Sequence, residues 1–172
     1  MFQNLNTYIF VIGIVMFVIL ALTNLLAIAL LLAFAFILSF FIQRFGLRMI
    51  GIELVTFVSV VAGFVYGPFV GITIALVLII FHLLVSGYFG IYFAWVIPEY
   101  PIAAYIASTM TGQGIISVGI LIVIGLNVIN IFLTAIAYRQ NIGKYFLYAV
   151  TNVLLNVILF MAAGQLVVDI LR

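Results

Sequence analysis

The sequence predicts an all-α integral membrane protein, a bundle of six to seven transmembrane helices that form one domain over residues 1–172. Hydrophobic residues make up 70% of the chain, and charged residues make up only 5%. A soluble domain carries about 25% charged residues, so this chain could not cover a water-facing surface. The mean hydropathy is +1.59, and the apolar runs are long enough to cross a bilayer. We therefore expect a multi-pass protein of the cell membrane that contacts lipid along its sides.

Several functional classes are disfavoured by the same composition. The chain has no cysteine, which excludes disulfides and thiol chemistry. Its net charge of +2 is too small and too scattered to indicate nucleic-acid binding. No nucleophile stands near a base, and neither a phosphate-binding glycine loop nor metal-ligand spacing is present. We expect no enzyme, no cofactor and no metal site.

The first apolar run extends over Tyr8–Gln43. A single helix of that length would be about 54 Å long, well beyond a hydrocarbon core of about 30 Å. The polar pair Thr23-Asn24 is the best place for a break, which predicts helices over 7–22 and 25–42. The first of these could instead lie flat in the membrane interface.

Five further helices follow along the chain. A polar loop over Gln43–Ile50 precedes a helix at 51–66, and Gly67-Pro68 separates it from a helix at 68–86. An aromatic loop of the kind found at membrane interfaces then leads to a helix at 97–111. The remaining predicted helices cover residues 115–137 and 145–168.

The stretch WVIPEYP, Trp95–Pro101, places a carboxylate between two prolines in an otherwise apolar region. Proline costs no hydrogen bond in the first turn of a helix, and an acid there is favoured by the helix dipole. Glu99 is thus explained as part of a helix start. Alternatively, Glu99 lines the mouth of a cavity with three aromatic residues, because aromatic walls with one charged anchor commonly hold small ligands. These aromatic residues are Trp95, Tyr100 and Tyr105.

Four asparagines in the last two helices form two pairs, each on one helix face. A hairpin centred near Asn141 would put Asn130 opposite Asn152 and Asn127 level with Asn156. Amides at this depth need partners, because lipid offers none. They either bond the two helices to each other or turn into a polar cavity and bind a ligand.

His82 is the only histidine in the chain and is predicted near one end of its helix. A lone histidine cannot build a metal site. It is either a hydrogen-bonded structural residue or a contact to a ligand. Glu53 and Asp169, at the start and end of predicted helices, are expected to be solvated at the interface.

Small residues recur at four-residue spacing in two places. Gly63, Gly67 and Gly71 follow one another in VAGFVYGPFVG, and Ala29 and Ala33 do so on the second predicted helix. This spacing lets helix backbones approach closely within a membrane. Pro68 interrupts the first series as one continuous helical stripe.

Together these features resemble the substrate-binding subunit, the S-component, of energy-coupling factor (ECF) vitamin and metal transporters. The resemblance runs from about Leu25 to the end of the chain. It is carried by AIALLLAFA (Ala27–Ala35), ELVTFVSVVAGFVYGPFVGITIAL (Glu53–Leu76) and WVIPEYPIAAYIA (Trp95–Ala107). The family has six helices, so a helix at 7–22 would be an addition to its N-terminus.

The resemblance implies a vitamin-uptake role in which a small nutrient is bound and delivered by toppling within the membrane. It implies a transmembrane coupling subunit docked at Ala29 and Ala33, and two ATPase subunits on separate chains. The ligand would be held by three loops and by the last helices. Those loops would contribute Arg44 and Arg139, and the helices would contribute Asn127, Asn130, Asn152 and Asn156.

Membrane orientation is contested by two lines of reasoning. Four basic residues lie on one predicted face, and the positive-inside rule makes that face cytoplasmic. They are Arg44, Arg48, Arg139 and Lys144. The family resemblance puts the same face outside. Two other functional classes also stay open: a scaffold similar to rod-shape-determining membrane proteins, and an integral subunit of a larger complex.

Overall fold

The computed structural model describes residues 22, 24–42, 44–47, 50–86, 90–137 and 142–172. This part of the chain is helical and contains no strand. The predicted helix at 7–22 and the loop residues Arg48 and Arg139 lie outside the described residues, apart from Leu22.

Six helices, numbered here in chain order, make up the described part. Their bounds are α1 Asn24–Ile42, α2 Val55–Ser86, α3 Phe93–Thr109, α4 Ile115–Ala137, α5 Ile142–Leu159 and α6 Gln165–Leu171, with a π-helical turn at Phe160–Gly164 joining α5 to α6.

Within the described residues, four helical runs are long and apolar enough to cross a membrane. They are Asn24–Ile42, Val55–Val85, Ile115–Ala137 and Gly143–Leu171. The all-helical, membrane-type architecture is therefore confirmed, whereas the expected six to seven such helices are not found. The difference arises partly because the helices expected at 51–66 and 68–86 form the single element α2, and because α3 has only 17 residues.

The element α2 is sharply bent at Gly67, whose backbone angles are φ 82° and ψ −177°. A positive φ strains residues that carry a Cβ, and glycine adopts it readily. Pro68 lacks the N–H that a continuous helix would use at this point. The bend divides α2 into two helical segments, 55–66 and 68–86.

Two glycines show that these segments fold back on each other. A Cβ atom on Gly71 would collide with the backbone of Gly63, eight residues earlier in the chain. In a straight helix these residues would be about 12 Å apart. A Cβ on Gly63 would in turn strike the backbone of Ala104 in α3. Three backbones thus meet at this point, which is the close approach that small residues permit in membrane proteins.

The first segment of α2 is the centre of the molecule, because residues 53–64 are all buried. Around it pack the buried stripes of the other helices, such as Ala103, Ala104 and Ala107 of α3. By contrast, α1 leaves large side chains such as Leu26, Leu30 and Phe34 more than half exposed, which suits a helix that faces lipid or another protein.

The C-terminal run packs against both α2 and α4. The Phe160 ring lies 4.9 Å from the Phe57 ring and fills the space beside Gly119, where any Cβ would overlap it. At the end of the run, the guanidinium of Arg172 lies 5.4 Å from the centroid of the Phe64 ring. The chain end and the bend at Gly67 therefore share one end of the bundle.

Candidate functional site

A short non-helical segment, residues 50–54, enters the bundle ahead of α2 and lies against α5. Gly51 is buried here, and a Cβ atom would collide with the carbonyl of Tyr148. Its N–H donates to Thr151 Oγ1 (2.8 Å), and its carbonyl accepts from Asn152 Nδ2 (3.0 Å). Irregular backbone is stable at this depth only when side chains satisfy its polar groups, and here they do.

Glu53, at the end of this segment, is only 1% exposed. Its Oε1 accepts from Thr56 Oγ1 (2.6 Å) and Asn152 Nδ2 (2.8 Å), and its Oε2 accepts from the Thr56 N–H (3.0 Å). The carboxylate thus caps α2 and also bonds α5. The expectation that Glu53 is solvated at the interface is wrong, because the segment carries it inward. Asp169 is exposed and accepts from Gln165 Nε2.

The two buried amides Asn127 and Asn152 join α4 to α5. Asn127 Nδ2 donates to Asn152 Oδ1 (2.9 Å) and to the Val123 carbonyl (2.8 Å). The expected pairing of Asn130 with Asn152 is therefore wrong by about one helical turn. The cause is the centre of the hairpin, which lies slightly before Asn141, as the contact of Gly119 with Phe160 also shows.

The other two amides have different partners. Asn130 accepts at Oδ1 from Trp95 Nε1 (3.1 Å), which ties α4 to the start of α3. Asn156 is fully buried and donates to the carbonyl of Asn152 on its own helix (3.0 Å). Asn156 Oδ1 has no hydrogen-bond partner among the described residues. Asn127 and Asn156 therefore do not pair.

Two tyrosines extend the buried hydrogen bonds toward α3. The side chain of Tyr100 is within hydrogen-bonding reach of Thr56, and Tyr148 is within reach of Tyr100. We call the connected set the inner polar network: Glu53, Thr56, Tyr100, Asn127, Tyr148 and Asn152. It lies roughly 15 Å below the end of α4 at Ala137, as the rise per residue gives.

Glu99 stands beside this network. It lies on the buried stripe of α3 with Val96 and Tyr100, and only 7% of it is exposed. Glu99 and Glu53 both lie near the Tyr148 side chain. Its Oε1 is buried and has no hydrogen-bond partner in the part of the chain that the structure describes. Glu99 thus offers a free carboxylate oxygen inside the protein.

The expectation that Glu99 lies in the first turn of its helix is wrong. The helix begins at Phe93, so Pro98 and Pro101 lie inside α3 and Glu99 is beyond its first turn. Backbone bonds of Trp95 and Val96 to the Tyr92 carbonyl close the turn that precedes Pro98. The aromatic residues before the prolines extend the helix instead of forming a loop.

His82 is placed by a different contact. Its Nδ1 lies 3.0 Å from Ser39 Oγ, which joins the second segment of α2 to α1. Ser39 is buried, and His82 is partly buried. This is the hydrogen-bonded arrangement expected of a structural histidine.

Some predicted site residues are not brought to the network. Tyr105 is 53% exposed, because six residues after Glu99 the helix has turned its side chain to the opposite face. Arg44 is exposed, and Arg139 lies outside the described residues. Ala29 and Ala33 are exposed on α1, as a docking surface requires.

Sequence reasoning missed Glu53, Thr56 and Tyr148 as members of the network. The spacing of Glu53 and Thr56 carried a usable signal, because an acid three residues before a helical N–H is a capping arrangement. Tyr148 carried no such signal, since its role depends on contacts between distant segments.

The arrangement places several polar groups inside the bundle where a ligand could contact them. A buried carboxylate oxygen, two tyrosine hydroxyls and a tryptophan lie close to one another near one end of the bundle. Among the described residues, no group of three histidine, cysteine or acidic side chains could hold a metal ion. Comparisons with protein-family models, with curated proteins and with solved structures give no match for this chain.

Proposed function

We propose that the chain is the substrate-capturing subunit of an ECF-type importer in the cell membrane, where it binds a vitamin or similar small molecule. The observation that carries this proposal is the unpartnered, buried carboxylate oxygen of Glu99 beside the inner polar network. A buried polar atom without a partner costs free energy, and a bound ligand would satisfy it.

The location of the network supports the same reading. The family resemblance assigns ligand binding to the loops Arg44–Met49, Ser86–Trp95 and Tyr138–Lys144. The network lies beneath the bundle end that carries the described parts of these loops, residues 44–47, 90–95 and 142–144. In this proposal the network forms the floor of the site, and Glu99 and Trp95 form its wall.

The bend in α2 supports the six helices of the family resemblance. The segments 55–66 and 68–86 fold back on each other, as the contact between Gly63 and Gly71 indicates. With α1, α3, α4 and the α5–α6 run they make six helical segments. A helix at 7–22 would be a seventh.

The exposed face of α1 supports a partner. Ala29 and Ala33 lie among exposed large side chains such as Leu26, Leu30 and Ile37. Small residues between large ones form a groove that another membrane helix can enter. We propose this face as the docking surface of a transmembrane coupling subunit, with two ATPase subunits bound to that partner.

A non-catalytic scaffold, similar to rod-shape-determining membrane proteins, is the second candidate. It is favoured by the saturation of Glu53, whose two oxygens accept three hydrogen bonds from the protein itself. Stabilisation of the fold is enough to explain a network whose hydrogen bonds are complete without a ligand.

Native mass spectrometry separates the two candidates. The full chain, released from its membrane in a mild detergent, should retain a non-lipid small molecule if it captures nutrients. Adding that molecule back to stripped protein should raise the unfolding temperature, because a ligand that binds only the folded state stabilises it. A spectrum with no retained molecule, together with no stabilisation by fractions of growth medium, would leave the scaffold.

A further inference from the structure

Building on the proposed capture function, we infer that the ligand is a small organic cation whose ammonium group is bound by Glu99 beside the inner polar network. The sequence alone leaves the sign of the ligand's charge open, because Glu99 favours a cation and the basic residues of the loops favour an anion. The arrangement of charges inside the bundle decides between them.

Glu53 is the first of two acids inside the bundle. The Thr56 hydroxyl and the Asn152 amide donate to its Oε1, and the Thr56 N–H donates to its Oε2. Glu53 is therefore a buried acidic side chain whose own oxygens are already occupied by the protein.

The second acid, Glu99, is available to a ligand. Glu99 is more than nine-tenths buried, faces inward on the stripe shared by Val96 and Tyr100, and leaves Oε1 unpartnered among the described residues. The Tyr148 side chain lies near both acids. A cation at Oε1 would form a charge-assisted hydrogen bond and would also be attracted by Glu53.

The basic residues that the structure describes do not neutralise these acids. Arg44 and Lys144 are exposed, and Arg172 stacks on Phe64 at the opposite end of the bundle. An anionic ligand would have to enter beside two acidic side chains with no described basic residue to pair with it, and an unpaired anion in a medium of low polarity is strongly disfavoured.

The aromatic residues indicate an organic cation. Trp95 is held by its bond to Asn130, and Tyr100 and Tyr148 lie near the two acids. Aromatic faces attract ammonium groups and pack against the carbon skeleton that carries them. A hydrated inorganic ion would gain little from such a wall.

The test uses two probes that differ only in charge: choline, and 3,3-dimethylbutan-1-ol, in which carbon replaces the ammonium nitrogen. Thermal unfolding of the full chain in detergent is followed against the concentration of each probe. We expect choline to bind at least about tenfold more tightly than the alcohol, the ratio that about 1.4 kcal/mol of charge-assisted binding produces. Equal binding of the two probes, or no stabilisation by either, would overturn the inference.

Glu99→Gln tests the residue, because it removes the charge and keeps the shape. The variant should lose the preference for choline. Asp169→Asn is the matched control, since it removes an exposed acid that bonds only Gln165 on its own helix, and it should keep the preference. Retention of the preference in Glu99→Gln would exclude Glu99 as the anchor.

The charge class and the capture function can fail separately. A neutral or acidic molecule retained in the native mass spectrum, with no response to choline, would reject the cation and leave nutrient capture standing. The absence of any retained molecule and of any response to choline would reject both. A retained amine that choline displaces would support both the cationic ligand and the capture function.

Discussion

Asn152 Nδ2 donates a 2.8 Å hydrogen bond to Glu53 Oε1, across ninety-nine positions of the chain. The same amide nitrogen donates to the Gly51 carbonyl, and Asn152 Oδ1 accepts from Asn127. One side chain thus connects α4, α5 and the segment that enters the bundle ahead of α2. The inner polar network depends on it more than on any other amide.

Asn152→Ala should lower the free energy of unfolding by about 2–3 kcal/mol, because it leaves the buried Gly51 carbonyl, Glu53 and Asn127 short of partners. Thermal unfolding in detergent is the measurement. Asn130→Ala is the control, since it removes only the bond to the partly buried Trp95 and should cost less. An equal cost for the two variants would contradict the central position of Asn152.

Glu53→Gln should also destabilise the fold, by about 1–3 kcal/mol. The introduced NH₂ group would face donors, either the Thr56 N–H or the Asn152 amide, in place of an acceptor. Asp169→Asn makes the same chemical change at an exposed site and should be neutral. Urea or thermal unfolding of both variants provides the comparison, and a stable Glu53→Gln protein would show that the network tolerates a missing acceptor.

Gly63→Ala should disrupt the fold, with a loss of about 2–3 kcal/mol from overpacking. The added methyl group would meet the Ala104 backbone, which cannot rotate away as a side chain can. Gly125→Ala, in the middle of α4, adds the same group where no atom lies within 4 Å, and it should be neutral or stabilising. Yield of monodisperse protein and unfolding temperature report the difference, and similar behaviour of the two variants would refute the three-backbone contact.

Ala29→Trp and Ala33→Trp should leave the stability of the isolated chain unchanged, because both residues are exposed. They should prevent assembly with a coupling subunit by filling the groove on α1. Ala162→Trp, at another exposed alanine in the π-helical turn, is the control. The measurement is size-exclusion analysis of the complex assembled from co-expressed subunits, and assembly by the α1 variants would exclude this face.

The membrane class and the lengths of the apolar runs follow from composition and hydropathy, because lipid imposes the same requirement on every position of a helix. The partners of the asparagines depend on finer detail. A shift of the hairpin centre by one or two residues changes which amides meet, and the loop sequence carries no signal that sets it. The sequence therefore predicts Asn130 opposite Asn152, whereas in the structure the partner of Asn130 is Trp95.

The two buried acids also show that local sequence preference does not predict which side chains long-range packing carries into the interior. Proline near an acid predicts a helix start, yet α3 begins at Phe93 and carries Glu99 into the interior. Local preference was outweighed by packing of the stripe from Val96 to Ala107 against α2. Glu53 was taken for an interfacial residue because the inward path of residues 50–54 depends on distant partners, Thr151 and Asn152.

The stacking of Arg172 on Phe64 fixes the end of the bundle at which Arg172 lies. This end is opposite the end at which Glu53 lies. An epitope fused after Arg172 is therefore expected on the membrane side opposite the candidate site. In sealed vesicles of known sidedness, digestion of that epitope by an added protease reports which compartment supplies the ligand. One cleavage experiment thereby decides whether the face with the basic residues is cytoplasmic, as the positive-inside rule predicts, or external, as the family resemblance implies.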